Sequence, residues 1–124
     1  MKPKLITIAQ NLAKTAKHDM FKLAALVFDK QGRVISAGVN HQTKTHPILR
    51  RYDLNKTVHA EAAALLFYKH PQHFKGASIF VYRERKDGNF ANAKPCHMCQ
   101  KLIQQFGISK LYYTTETGIV YEPL

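Results

Sequence analysis

Near the start of the chain, Leu5, Ile8, Ala9, Leu12, Ala13 and Ala16 recur at helical spacing, which predicts an amphipathic first helix ending near His18. Two short apolar runs follow, FKLAALVF and RVISAGVN, the second rich in β-branched residues, with the turn-forming DKQG between them. They predict two adjacent antiparallel strands. The basic stretch HQTKTHPILRRYDLNK has no period and reads as a long loop, a feature that usually carries function. Thr57 then suits the cap of a helix whose Val58, Ala62, Leu65 and Leu66 form one apolar face and which Pro71 stops shortly after Lys69. His59 and Glu61 would fall in its first turn. ASIFVYRER predicts a third strand, and DGNFANAK a polar loop leading into a helix with Pro95 at or near its first position. That helix would bury Leu102, Ile103 and Phe106 and end at Gly107. SKLYYTT and IVYEPL close the chain as strands. Only ETG separates them, too little for a helical crossover, so they are expected to pair as an antiparallel hairpin.

The chain has 124 residues, of which 45% are hydrophobic and 22% charged, a composition of ordinary globular domains rather than disordered or membrane chains. No repeat, low-complexity segment or Pro/Gly/Ser-rich linker divides it, so residues 1–124 read as a single α/β domain. The apolar run from Leu5 to Ala9 is too short for a secretion-signal core or a membrane span. A cytoplasmic address is therefore expected, with no membrane partner, and there two cysteines would stay reduced. Nineteen Lys and Arg against eight Asp and Glu leave a formal charge of +11, which favours phosphate-bearing partners such as nucleotides or nucleic acid. A solvated basic surface that serves solubility explains the same number.

Charge alone selects no chemistry; three residues do. His59, Cys96 and Cys99 offer one imidazole and two thiolates, a set that suits zinc by softness and by tetrahedral geometry. All three fall at helix starts, where the positive end of the helix dipole favours a thiolate. A structural zinc normally takes four protein ligands, and the chain has neither a third cysteine nor a second Cys-x-x-Cys. Three ligands leave a position for water, whose proton a zinc ion loosens near neutral pH, and Glu61 stands two residues from His59 to handle that proton.

Each piece alone is ordinary. Together, HAE followed by PCHMC matches the His-x-Glu and Pro-Cys-x-x-Cys signature of zinc deaminases, in which the glutamate is a general acid and base rather than a ligand. On these motifs and the order of its elements, nearly the whole chain resembles the cytidine deaminase-like superfamily. The resemblance implies a three-layer α/β/α fold whose mixed five-stranded sheet lies beneath two metal-bearing helices. It also implies a bound zinc ion held by His59, Cys96 and Cys99, with Glu61 as proton shuttle. Asn40, which ends SAGVN, falls where family members often place an asparagine against the substrate sugar, and backbone amides near Ala60 and Cys96 would meet the base or the intermediate. The closing hairpin resembles the branch that includes free cytidine deaminases and toxin deaminase domains, which points to cytosine-to-uracil conversion in a nucleotide or single-stranded nucleic acid. PCHMC and the histidine ligand also resemble tRNA adenosine deaminases and guanine deaminases, so adenine and guanine remain alternatives.

Other residues divide between function and structure. Phe90, beside the second motif, could stack on a base or anchor its own loop. His41 and His46 could meet a phosphate or stay solvated, and the same holds for Arg50, Arg51, Arg83 and Arg85. His97 lies between the cysteines but projects elsewhere on a helix, which makes it a surface or substrate-loop residue. Tyr112 and Tyr113 alternate on a strand, so at most one faces the site. Two rivals come from other classes: a non-catalytic zinc module binding nucleic acid, with His97 or His46 as fourth ligand, and a thiol redox protein using Cys96 and Cys99. Glu61 argues against the first, since a structural site needs no proton shuttle. The sequence is silent on assembly and leaves room for a homo-oligomer.

Overall fold

A computed structural model describes residues 1–16, 22–40 and 59–124. Within them the elements run α1 (Pro3–Ala13), β1 (Lys22–Phe28), β2 (Val34–Val39), α2 (Ala60–Leu66), β3 (Ser78–Glu84), α3 (His97–Gln105), β4 (Lys110–Thr115) and β5 (Gly118–Pro123). The five strands form one sheet in the order β2-β1-β3-β4-β5. β3 and β4 are parallel, joined through α3, and every other neighbouring pair is antiparallel. The closing strands do form the hairpin, with Thr115 opposite Gly118 and Lys110 opposite Pro123.

Alternation along the strands divides the core into two layers. Ala25, Val27, Ile79, Val81, Leu111 and Tyr113 pack on one face with residues of α2 and α3, Leu65, Leu102 and Ile103 among them. Ala24, Leu26, Phe28, Phe80 and Tyr82 pack on the other with Leu5, Ala9 and Ala13 of α1. The predicted three-layer mixed sheet is thus the observed one. Among the described residues no helix is long and apolar enough to cross a membrane.

Helix ends differ from expectation for local reasons. α1 stops at Ala13, because the Thr15 hydroxyl and backbone N–H both take the Leu12 carbonyl, at 2.7 and 2.9 Å, and wind the chain into a tighter turn. His18 lies outside the described residues, as do Thr57, Val58 and the loop at 41–56. α2 begins at Ala60 with extended His59 as its N-cap. It ends at Leu66, and Pro71 starts a separate 3-10 turn, Pro71–Phe74. Pro95 lies near the first helical position, two residues before it: Cys96 is the N-cap of α3, and its sulfur accepts the Cys99 N–H at 3.4 Å. At the far end of α3, Gly107 takes the expected left-handed conformation at φ +82°.

How closely α2 approaches β2 is decided at Gly38. A Cβ built there would lie 2.4 Å from the Ala64 nitrogen and 2.8 Å from the Ala60 carbonyl oxygen. The Ser36 hydroxyl, from the same strand, donates to the Ala64 carbonyl at 2.5 Å. Gly38→Ala must push the helix outward, so it is expected to destabilise the protein by about 1–3 kcal/mol through overpacking. Urea unfolding checks it: the midpoint should fall while the slope stays constant.

Candidate metal centre and active site

α2 and α3 lie on the same face of the sheet, and their N-termini bring His59 and Cys96, the two N-caps, together with Cys99. The donor atoms of the three side chains all lie within 4.8 Å of one another, with Cys99 Sγ 3.3 Å from His59 Nδ1. His59 is half-buried, Cys96 exposed and Cys99 buried, so the cluster is open to solvent at Cys96. One ring nitrogen and two sulfurs at this spacing suit a soft tetrahedral ion such as zinc, and the open side leaves a position for a fourth, non-protein ligand.

Electrostatics inside the cluster follow from burial and from sulfur acting as acceptor. Hydrogen bonds from Cys99 and from His59 pull the Cys96 thiol down to about 4, so it is a thiolate at neutral pH. Cys99 moves the other way, since its own hydrogen bond to Cys96, burial and the nearby Glu61 all oppose its ionisation. The bond to Cys96 raises the His59 imidazole, and the charge on Glu61 adds to it. Glu61, in the first turn of α2, is 4% exposed, and burial is the main reason its carboxyl sits above the usual glutamate range. The His59 charge and a hydrogen bond from Cys99 offset part of that. A buried acid beside a donor cluster holds a proton more readily than a solvated glutamate, the pattern of a group that exchanges protons.

The residues expected to touch substrate fall into three cases. Ala60, 1% exposed, is the first residue of α2, where backbone N–H groups lack helical acceptors. Asn40 is buried just after β2, and its Oδ1 accepts the Leu23 N–H at 2.9 Å, which ties the end of the strand to β1. Phe90 is not brought to the donors. Its ring packs 5.7 Å from Tyr82 in the layer on the α1 side of the sheet, so it anchors its own loop. His97 is exposed, as expected of a surface residue. Tyr113 faces α2 and α3, 6% exposed, with its hydroxyl donating to Glu122 at 2.8 Å, while Tyr112 faces the opposite layer. Arg83 Nη1 reaches the Asn92 carbonyl at 3.4 Å. His41, His46, Arg50 and Arg51 lie outside the described residues.

Sequence reasoning missed Thr114. Past Val81 and Tyr113 the pairing of β3 with β4 ends, and the returning loop is wedged between them. The buried Thr114 hydroxyl donates to the Ala91 carbonyl at 2.8 Å and accepts the Arg83 N–H at 3.1 Å. Ala91 N–H donates to Arg83 and Ala93 N–H to the Thr114 carbonyl, both at 2.9 Å. This seam leads directly to buried Pro95, whose carbonyl holds the Gln100 side chain at 2.9 Å, and then to Cys96. A threonine in a strand carries no sequence signal for such a role.

The family model described as the cytidine and deoxycytidylate deaminase zinc-binding region matches residues 1–115. The chain belongs to that family of zinc-dependent deaminases. Among solved structures it is similar to a dCMP deaminase from the cyanophage S-TIM5, at 25% identity and a TM-score of 0.62, over 94% of this chain and 87% of that one. The cytidine deaminases of Mycobacterium tuberculosis and Mycobacterium leprae share its fold at 18% and 19% identity, with TM-scores of 0.60 and 0.56. Those matches cover 96% and 93% of this chain, and 89% and 87% of theirs. No curated protein matches it.

In metal-free protein at pH 6, iodoacetamide should alkylate Cys96, a thiolate and exposed, and leave Cys99 intact. Fragmentation of the peptide carrying both locates the label, and zinc added first should block it. Thr114→Val should lower stability by about 1–3 kcal/mol, because it leaves the Arg83 N–H and Ala91 carbonyl without their partner. It should also speed zinc loss to a chelating dye, with Thr114→Ser restoring both.

Proposed function

We propose that residues 1–124 act as one catalytic domain that hydrolyses the C4 amine of cytosine, in a nucleotide or a single-stranded nucleic acid, to give the uracil product and ammonia. The observation that carries this reading is the buried Glu61 carboxyl beside an open-sided His59–Cys96–Cys99 cluster. The antiparallel closing hairpin and the likeness to a dCMP deaminase support cytosine, and the formal charge of +11 supports a phosphorylated substrate.

In this reading His59, Cys96 and Cys99 hold a zinc ion, which when bound supplies the Lewis acidity that makes water a nucleophile at neutral pH. Glu61 accepts the proton that the attacking water gives up and delivers it to the ring nitrogen N3. It then carries a proton to the departing amine, so that ammonia leaves with both its electrons and the C4 carbonyl forms. Burial supports this exchange by keeping the carboxyl's affinity for a proton above that of a solvated glutamate. In the same reading the Ala60 N–H, at the start of α2, holds the base. Asn40 contributes to the sugar side of the pocket, its own position fixed through Leu23.

Glu61→Gln keeps size and helix propensity but cannot take the proton. It should reduce turnover by about 10⁴-fold or more, since one carboxylate serves several transfers, while zinc content and melting temperature barely change. Cys99→Ser should instead lose the metal. Product mass from a panel of cytosine, adenine and guanine nucleosides, nucleotides and oligonucleotides identifies the substrate. A glutamine variant with near-normal turnover would remove the mechanism, and adenine or guanine products would overturn the cytosine assignment.

A further inference from the structure

The metal donors sit at the end of the sheet where β3 and β4 finish. At the opposite end, the start of α1, the turn at 29–33 and the starts of β3 and β4 enclose an open cleft of about 890 Å³. Through Asp29, Lys30 and Gly76, which line both, it runs on into a second hollow of about 320 Å³. β1 spans the two ends with seven residues, about 20 Å at the usual strand rise. A nucleotide held by the metal donors therefore cannot also fill this cleft.

The lining is strongly basic. Lys2, Lys30 and Lys110 border the first hollow, and Lys30, Arg33 and Lys75 the second. Lys30, Lys75 and Lys110 are exposed and form no ion pair among the described residues. Asp29 is the one acid in the lining, and its charge is already used. It accepts Arg33 Nε at 2.9 Å and the backbone N–H groups of Gln31 and Arg33, also at 2.9 Å, which hold its carboxyl below the usual range. The positive field along the groove is thus uncompensated.

Aromatic rings continue the groove onto the sheet. Tyr112, which lines the first hollow, lies 6.0 Å from Phe28 and 5.0 Å from Tyr121, ring centre to ring centre. Tyr121 faces Tyr112 across the β4–β5 pair and is 47% exposed, so its ring is a supported platform open to solvent. Cations spread along a groove and leading to an exposed, backed ring match the two needs of a single strand: phosphate neutralisation and a surface for unstacked bases. A lone nucleotide would need its cations converging on one point.

We propose that this groove binds single-stranded nucleic acid, with phosphates along Lys30, Lys75 and Lys110 and a base on Tyr121, at a site distinct from the metal centre. It stands on shape, charge and ring geometry and does not depend on the deamination reading.

The test uses the full zinc-loaded chain and a fluorescein-labelled 20-mer of thymidylate, which has no exocyclic amine, with binding read by anisotropy. The logarithm of affinity should fall with the logarithm of salt by about 0.7 for each phosphate neutralised. Lys30→Gln, Lys75→Gln and Lys110→Gln combined should make that slope shallower by about 2. Lys14→Gln, Lys86→Gln and Lys101→Gln, which remove the same charge elsewhere, should change it by less than half as much. Tyr121→Ala and Tyr121→Leu should weaken binding on the order of tenfold without altering the slope, and Tyr121→Phe should restore it. All these positions are exposed, and melting temperature confirms that each variant folds. Equal effects of the two lysine triples would overturn the proposal in favour of diffuse attraction. Displacement by tripolyphosphate at matched phosphate concentration, with Tyr121→Ala silent, would make the groove a polyphosphate site. A duplex of the same length binding as tightly would overturn the single-strand assignment.

Discussion

Gly38 has no Cβ, and that absence lets the backbone of α2 rest directly on β2, where any side chain would meet the Ala64 nitrogen at 2.4 Å. The consequence reaches well beyond local packing. His59 is the N-cap of that helix and Glu61 lies in its first turn, so the depth of α2 fixes how far both reach toward α3. The cysteines arrive from the other side, on a helix whose entry is set by the Thr114 seam between β3 and β4. Cys99 and His59 are 40 positions apart in sequence yet meet at 3.3 Å, because two separate backbone contacts to one sheet agree on the same point. Sheets are stiff against such displacements, and packed interiors transmit them rather than absorb them.

What converges there is unfavourable without an ion. A buried carboxyl, a thiolate and an imidazole lie side by side, and each distorts its neighbour's titration. Cys96 and Cys99 show the conflict most clearly: two sulfurs side by side cannot both ionise, so one gains its charge at the expense of the other. A divalent cation resolves this, because it stabilises both thiolates at once. The short helices serve the same end. α2 spans seven residues, mostly small and buried, and contributes a positioned N-terminus more than helical stability of its own.

Much of this was legible in the sequence, for identifiable reasons. Short apolar runs bounded by turn signals gave the five strands, helical spacing gave the three helices, and a three-residue link with no room for a crossover gave the antiparallel hairpin. HAE and PCHMC gave the donor cluster, because cysteines three apart at a helix start must share a face. Helix ends were less legible, since they turn on single hydrogen bonds such as Thr15 to Leu12. Phe90 could not be placed, because which face of the sheet a loop ring returns to depends on the turn before it. Gly38 did carry a signal, a glycine inside a strand pattern, which often marks close backbone approach. Thr114 carried none.

The two ends of the sheet divide the molecule's chemistry. Strand ends expose backbone groups and admit loops, so both rims can hold sites, while the layers between are filled by packed apolar side chains. At the rim where β3 and β4 finish, two helix N-termini point inward and bury Glu61 and Cys99 while Cys96 stays exposed, which suits bond chemistry carried out beside a buried acid. At the rim where they begin, α1 and the 29–33 turn leave an open set of lysines that form no ion pair among the described residues, which suits attraction over distance and rapid exchange. A net charge of +11 distributed in this way does not act as a uniform cloud. The part of it that lines the groove lies about 20 Å from the donor cluster by strand rise, far enough for solvent and salt to screen it from Glu61 and the metal donors. The basic groove can therefore attract an anion without disturbing the titration of Glu61.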